Sequence, residues 1–201
     1  MKIETIEGFT TEGVLIFANI TKCKEYYSDK EFNYSYPEGL SDLLTKGIIY
    51  IITTDESVEQ IDFTFEKEEI DLSEWKYQES YNYLNVEKDD EIRLISHAAF
   101  TQMCHNHKGN LEAQIESSLR IRNIFNPDNP LDKDAMLKEE FPILDLPVGN
   151  WKVNVYNKAS VFSDEDWDFY LYPEFTIHFE AMNYLDLDKI SLQPLELYSE
   201  N

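Results

Sequence analysis

The sequence reads as a mostly β protein: an antiparallel two-sheet β-sandwich with a partly helical insertion over about residues 97–141. Three observations predict it. Several segments alternate apolar and polar residues with period two, as a half-buried strand requires. Thirteen Tyr and twelve Phe enrich the chain in residues that favour pleated surfaces. Turn-forming residues separate the segments at close intervals through the first hundred residues, as in a sandwich. The clearest segment is Leu146-Pro147-Val148-Gly149-Asn150-Trp151-Lys152-Val153-Asn154-Val155-Tyr156, in which a proline–glycine turn leads into strict alternation. Trp151, Val153 and Val155 face one way and Lys152, Asn154 and Tyr156 the other, which marks a central strand onto which others assemble.

Taken in order, residues 2–9 and 13–20 are expected strands joined by a turn at Thr10-Thr11-Glu12. The second carries Val14, Leu15, Ile16, Phe17 and Ile20, a nearly continuous apolar run typical of a strand buried on both faces. Residues 31–36 alternate as a third strand before Pro37 and Gly39 break the pattern. Ser41 is placed to cap a single helical turn that Gly47 terminates. The run 47–54, a turn at Asp55-Glu56-Ser57 and the return over 58–66 read as a hairpin, with Ile61, Phe63 and Phe65 on one face. A strand over 75–86 gives Trp75, Tyr77, Glu79, Tyr81 and Tyr83 one parity, and another follows at 91–95. Residues 97–100 and 110–123 have helical character, with Asn110 as cap and Leu111, Ile115 and Leu119 on one face, although 117–125 also fits a strand. Residues 126–130 are irregular. Residues 170–180 form a late strand with Phe175, Ile177 and Phe179 opposite Thr176, His178 and Glu180, its start confined by Pro173 to an edge or bulge. The leucine-rich tail docks on the body.

With 201 residues and 42% hydrophobic content, one domain spanning 1–201 with a sizeable core is expected. Residues 1–7 hold no apolar stretch of signal-peptide length, and no window is apolar enough to span a bilayer, so no membrane association and a cytoplasmic location are expected. Two cysteines, Cys23 and Cys104, make no disulfide framework and read as reduced thiols.

Forty acids against seventeen bases leave a formal charge of −23. Such a surface repels nucleic acid and draws basic partners, although acidity alone also serves solubility. With six glycines the chain has no phosphate-cradling loop, no GxSxG elbow and no dinucleotide fingerprint, and no cofactor is expected. His97, Cys104, His105 and His107 are zinc-compatible residue types, but their spacing fits no standard zinc pattern; the competing reading is a polar segment near a helix start. The acids at 164–168 lack an EF-hand loop.

Acids and aromatics are interleaved at 56–79 and again from 164 onward, a composition in which aromatics anchor a partner and carboxylates steer it. Alternation on half-buried strands produces the same composition with the aromatics facing inward. The expected contact residues are Glu68, Glu69, Asp71, Trp75, Asp164, Glu165, Asp166 and Trp167. The order of the 47–54 run, the returning strand 61–66, Trp75-Lys76-Tyr77-Gln78-Glu79-Ser80, the Leu-Pro-x-Gly-x-Trp strand at 146–156 and the late strand 175–179 resembles the ComJ-like proteins, a bacterial β-sandwich family named for a competence-associated nuclease inhibitor. The resemblance covers about residues 47–96 and 144–180, transfers no site residue, and implies a sandwich and an inhibitor or immunity role. The function expected is therefore a non-enzymatic acidic protein that occludes a basic partner such as a nuclease or toxin. The alternatives are a metal-dependent enzyme using His97, His105 and His107, and a carbohydrate-binding sandwich module.

Overall fold

The computed structural model describes residues 5–33, 35, 38–65, 69–158 and 174–197. In chain order they form β1 (Ile6–Thr10), β2 (Val14–Asn19), α1 (Ile20–Tyr27), α2 (Ser41–Thr45), β3 (Ile49–Thr53), β4 (Ser57–Phe65), β5 (Trp75–Gln78), β6 (Tyr83–Val86) and β7 (Ile92–Ser96). There follow α3 (His97–His107), α4 (Leu111–Phe125), α5 (Lys133–Glu140), β8 (Ile143–Leu144), β9 (Gly149–Lys158), β10 (Glu174–Ala181) and β11 (Leu195–Glu196). The strands make two sheets. The first has the order β1-β4-β10-β9-β5, with β6 also on β9; the second runs β11-β3-β2-β7-β8.

Two apolar cores organise these elements. The first draws Val58, Ile61, Val153, Val155, Phe175 and Ile177 from the first sheet and Leu15, Phe17, Ile52 and Leu94 from the second. The Phe17 ring meets Phe179 edge-on at 6.5 Å, joining the two. The second core uses the opposite face of the second sheet, Ile16, Ala18, Ile49, Ile51 and Ile95, the helical residues Cys23, Tyr27, Phe100, Met103 and Ile115, and Phe141 just past α5. β2 and β3 are thus covered on both faces, which is why their sequences are unbroken apolar runs. The expected helical stripe is present on α4: Leu111 and Ile115 are buried, Leu119 packs against them, and Asn110 caps the helix by accepting the Ala113 N–H.

A single corner links these parts. β1 belongs to the first sheet and β2 to the second, and β3 and β4 make the reverse crossing beside them. The Thr11 and Glu12 N–H groups both donate to the Glu56 carbonyl, and the Thr54 N–H donates to the Gly13 carbonyl. The buried Thr11 and Thr54 hydroxyls lie 2.8 Å apart and both reach the Asp55 carbonyl. Glu12, in the left-handed conformation at φ 56, turns its carboxylate onto α3, where it accepts from the Ser96 hydroxyl and the Ala98 N–H.

This corner corrects the hairpin expected at 47–66: β3 and β4 lie in different sheets, β4 pairing with β1 and β10 instead. A turn at Asp55-Glu56 serves a sheet crossing as readily as a hairpin, so local chemistry does not distinguish them. The sheets are also not purely antiparallel, because β4 runs parallel to β10 and β11 parallel to β3. No tight turn sets the direction of either pair, since each is joined through a long stretch of intervening chain.

The strand expected over 75–86 is two strands. Gln78 pairs with Val155 and Tyr83 with Lys152, so the stretch between them holds more residues than the facing length of β9 and bulges out. The shared parity breaks there, and Tyr83 becomes buried beside Leu84. No strand forms at residues 31–33 or 35: the Asn33 side chain accepts the Ser35 N–H, and Phe32 turns inward onto Tyr27 and Phe100. Ser41 does not cap α2; its hydroxyl donates to the Glu38 carbonyl instead.

Gly8 explains how β1 feeds the core at both ends. Its φ of +63 flips the side-chain parity, so Ile6 and Phe9 both face the first core, opposite Ile61 and Val58.

Two substitutions test this architecture. Thr11→Val keeps the shape but strips the corner of a hydroxyl, and should lower unfolding stability by about 1–3 kcal/mol in urea melts at unchanged m value. Gly109 sits at φ +74, where an added Cβ would lie 2.4 Å from the Cys23 carbonyl oxygen. Gly109→Ala should therefore cost more than about 1 kcal/mol.

Candidate functional site on the outer face of the first sheet

The face of the first sheet turned away from the core is polar, and its geometry follows from strand register. Asp62, Thr176, Tyr156 and Tyr77 line up in one row across β4, β10, β9 and β5. Thr64, His178 and Asn154 make the next row, and Glu174, Lys158 and Trp75 the row on the other side. These are the polar halves of the alternating segments, gathered by pairing.

The middle of the face is tied together. His178 and Asn154 are buried, and His178 Nδ1 lies 2.9 Å from the Thr64 hydroxyl. The Tyr77 hydroxyl donates to Asn154 Oδ1, and the Asn154 amide donates to Glu180, at 3.4 and 3.5 Å. The Tyr77 and Tyr156 rings meet at 5.1 Å. Burial pushes the Tyr156 phenol up from its ordinary range, and the neighbouring Tyr77 and Glu180 add to the effect.

The edge at Trp75 is where charge concentrates. Lys158 donates to Glu174 Oε2 at 2.6 Å, and this bond holds the ammonium above the ordinary lysine range, with Glu174, Glu74 and Asp62 all adding negative potential. Lys158 is half-exposed, so the pair contributes little to stability. Its value is as a reporter: one cation lies in the combined field of three carboxylates, beside a half-buried Trp75 and an exposed Tyr77. Asp62 itself is fixed by the Thr5 hydroxyl and the Gln60 amide, at 2.8 and 2.7 Å.

Of the expected contact residues, Trp75 lies in this face and Glu69 and Asp71 are exposed just before β5. Asp71 is committed to a turn: its carboxylate accepts the Ser73 hydroxyl and N–H, which hold it below the usual carboxylate range, and its carbonyl accepts the Trp75 N–H. Glu68 and the group Asp164, Glu165, Asp166 and Trp167 lie outside the described residues. Asp62, Glu74, Tyr156, Lys158 and Glu174 complete the face. Their alternation is legible in the sequence, but the strand neighbours that bring them together are not.

His97, Cys104, His105 and His107 share α3 without converging. Cys104 is buried in the second core, while His97 and His105 are exposed and the His105 ring sits 2.9 Å from the Asn106 side chain. Among the described residues no group of three or more His, Cys, Asp or Glu could hold a metal ion. No helix among them is long and apolar enough to cross a membrane. Compared with protein-family models, curated proteins and solved structures, the chain matches none.

Both cysteines are free and buried, and burial pushes both thiols far above their ordinary range. A thiolate is the reactive form, so neither is a nucleophile in the folded protein. Two outcomes follow. Neither thiol should react with an aromatic disulfide reagent in the native state, and both should react in urea. Because the folded-state values lie above the ordinary 9.0, the stability they contribute is present below that pH and declines above it, as the unfolded chain sheds protons that the folded chain keeps. Urea stability should therefore fall between about pH 8 and about pH 10.5, and Cys23→Ala should flatten the slope.

Proposed function

We propose that this chain is a non-enzymatic binding protein whose acidic, aromatic face occludes a basic protein partner, such as a nuclease or toxin. The observation that carries the reading is the outer face of the first sheet, where the Lys158–Glu174 pair and Glu74 lie by Trp75 and Tyr77 at the β5 edge and Asp62 continues the acidic row across β4. Carboxylates at strand spacing offer a basic active site what a phosphate backbone offers it, and the aromatics supply the desolvated contact. The remaining charge, −23 in total, lengthens the reach of that attraction and speeds encounter. The inhibitor role implied by the ComJ-like resemblance agrees with this reading. So does a β-sandwich arrangement, supported by the shared core and by the Phe17–Phe179 contact between the sheets.

The chemistry asked of the site is recognition. Lys158 and Glu174 cancel one another, so the net attraction for a basic partner comes from Glu74, Asp62 and the rest of the acidic surface. Trp75 is the anchor: truncating a central aromatic of an interface costs about 2 kcal/mol or more, whereas a rim carboxylate chiefly sets the association rate.

The test is a titration of a basic nuclease with the purified chain, followed by residual activity and by binding kinetics. Inhibition at about one-to-one stoichiometry is expected, with an association rate that falls at least about tenfold from low to physiological salt. Trp75→Ala should raise the dissociation rate by about thirtyfold, and Glu74→Lys should slow association with little change in dissociation. Binding that ignores salt, or is untouched by both substitutions, overturns the assignment.

A further inference from the structure

A second site lies at the opposite side of the fold, where the outer face of the second sheet meets the helices. A cavity of about 240 Å³ opens there, floored by Ile16 and Ile51 and walled by Phe32 and Phe100. Val14 and Leu40 extend the apolar lining, while Asn33, Thr53, His97 and Thr101 supply the polar atoms around it. Asn33 and His97 are exposed, which puts their side chains at the mouth rather than the floor.

A void among aliphatic and aromatic side chains forfeits the dispersion contacts that fill the rest of this core. Water gains little there: among the described residues the Thr101 hydroxyl is the one buried lining group without a partner, and a buried water needs two to four. The size also sets the occupant. Roughly 150 Å³ suffices for benzene in an apolar protein cavity, so this one has room for a fused or substituted ring but not for a folded segment. Charge narrows the class further. The Glu12 carboxylate sits on the α3 N-terminus, and the chain as a whole carries −23, so an anion is disfavoured.

We infer that this cavity is a ligand site for a small, neutral, ring-containing apolar molecule bearing one hydrogen-bonding group, which would sit at the mouth beside Asn33 and His97. The site touches β2, β3, α3, Phe32, Asn33 and Leu40 before α2, and Pro194 before β11. It is separate from the face of the first sheet and independent of the function proposed for it.

Indole and benzoate are the probes, added to the full chain and followed by amide NMR shifts and thermal unfolding. Indole should bind saturably at up to roughly millimolar concentration, raise the unfolding temperature and move signals concentrated at Val14, Ile51, Thr53 and Phe100. Benzoate, similar in size but anionic, should bind at least about tenfold more weakly. Val14→Phe fills the cavity and should weaken indole binding at least about tenfold while the far-UV circular dichroism stays native; Leu40→Phe replaces it should Val14→Phe not fold. No saturable indole response, shifts scattered over the surface, benzoate binding as tight as indole, or undiminished binding in a folded filled variant would each overturn the inference.

Discussion

The arrangement hangs on the corner formed by Thr11, Gly13, Thr54 and Glu56. Two strand pairs cross between sheets at one place, and five backbone N–H groups find their partners there: Thr11 and Glu12 on Glu56, Thr54 on Gly13, and Val14 and His97 on the Thr11 carbonyl. A crossing exposes backbone that neither sheet can pair, and burying it unpaired would cost more than any single ladder bond returns. The two threonine hydroxyls are there for the same reason, since both are buried and both find acceptors within the turn. Because Glu12 also caps α3, the same few residues position the first sheet, the second sheet and the helices relative to one another.

The polar face of the first sheet depends on this geometry. Its carboxylates are exposed or half-buried, and their influence reaches outward. The middle of the face behaves differently: His178, Asn154 and Thr176 are buried and hydrogen-bonded or closely packed, which makes a stiff floor beneath the acidic rim. Under the proposed binding role, a rigid floor with a charged, aromatic rim would lose little ordering entropy on contact with a partner of fixed shape. The cysteines, shielded in the second core, belong to packing.

Much of this was legible from residue order alone, and the parts that were not share one cause. The Trp151–Val153–Val155 alternation identified β9, the continuous run at 14–20 identified a strand covered on both sides, and Asn110 with Leu111 and Ile115 identified α4; each is a local signal. The partner of β4 was not legible, because Ile61, Phe63 and Phe65 present the same face to a core whether the neighbouring strand is β3 or β10. Nor was the break at 79–82, where parity is reset by pairing against β9 rather than by any residue within the stretch. The site inherits this limit. Trp75 and Tyr77 announced themselves as aromatics among acids, but Asp62, Lys158 and Glu174 join them only through the β4–β10–β9–β5 register.

The parallel pairing of β4 with β10 has a consequence for synthesis. Thr64 and His178, neighbours in the finished sheet, are 114 residues apart in the chain. At about 5–20 residues per second, a ribosome that has completed β4 needs roughly 6–20 s to deliver the strand that covers its edge. Through that interval a nascent β4 offers an open hydrogen-bonding edge and an apolar row of Ile61, Phe63 and Phe65. Glu59 and Asp62 on the same strand keep that edge charged, so the acidity read above as a binding feature also guards the unfinished chain against pairing with its neighbours on the polysome.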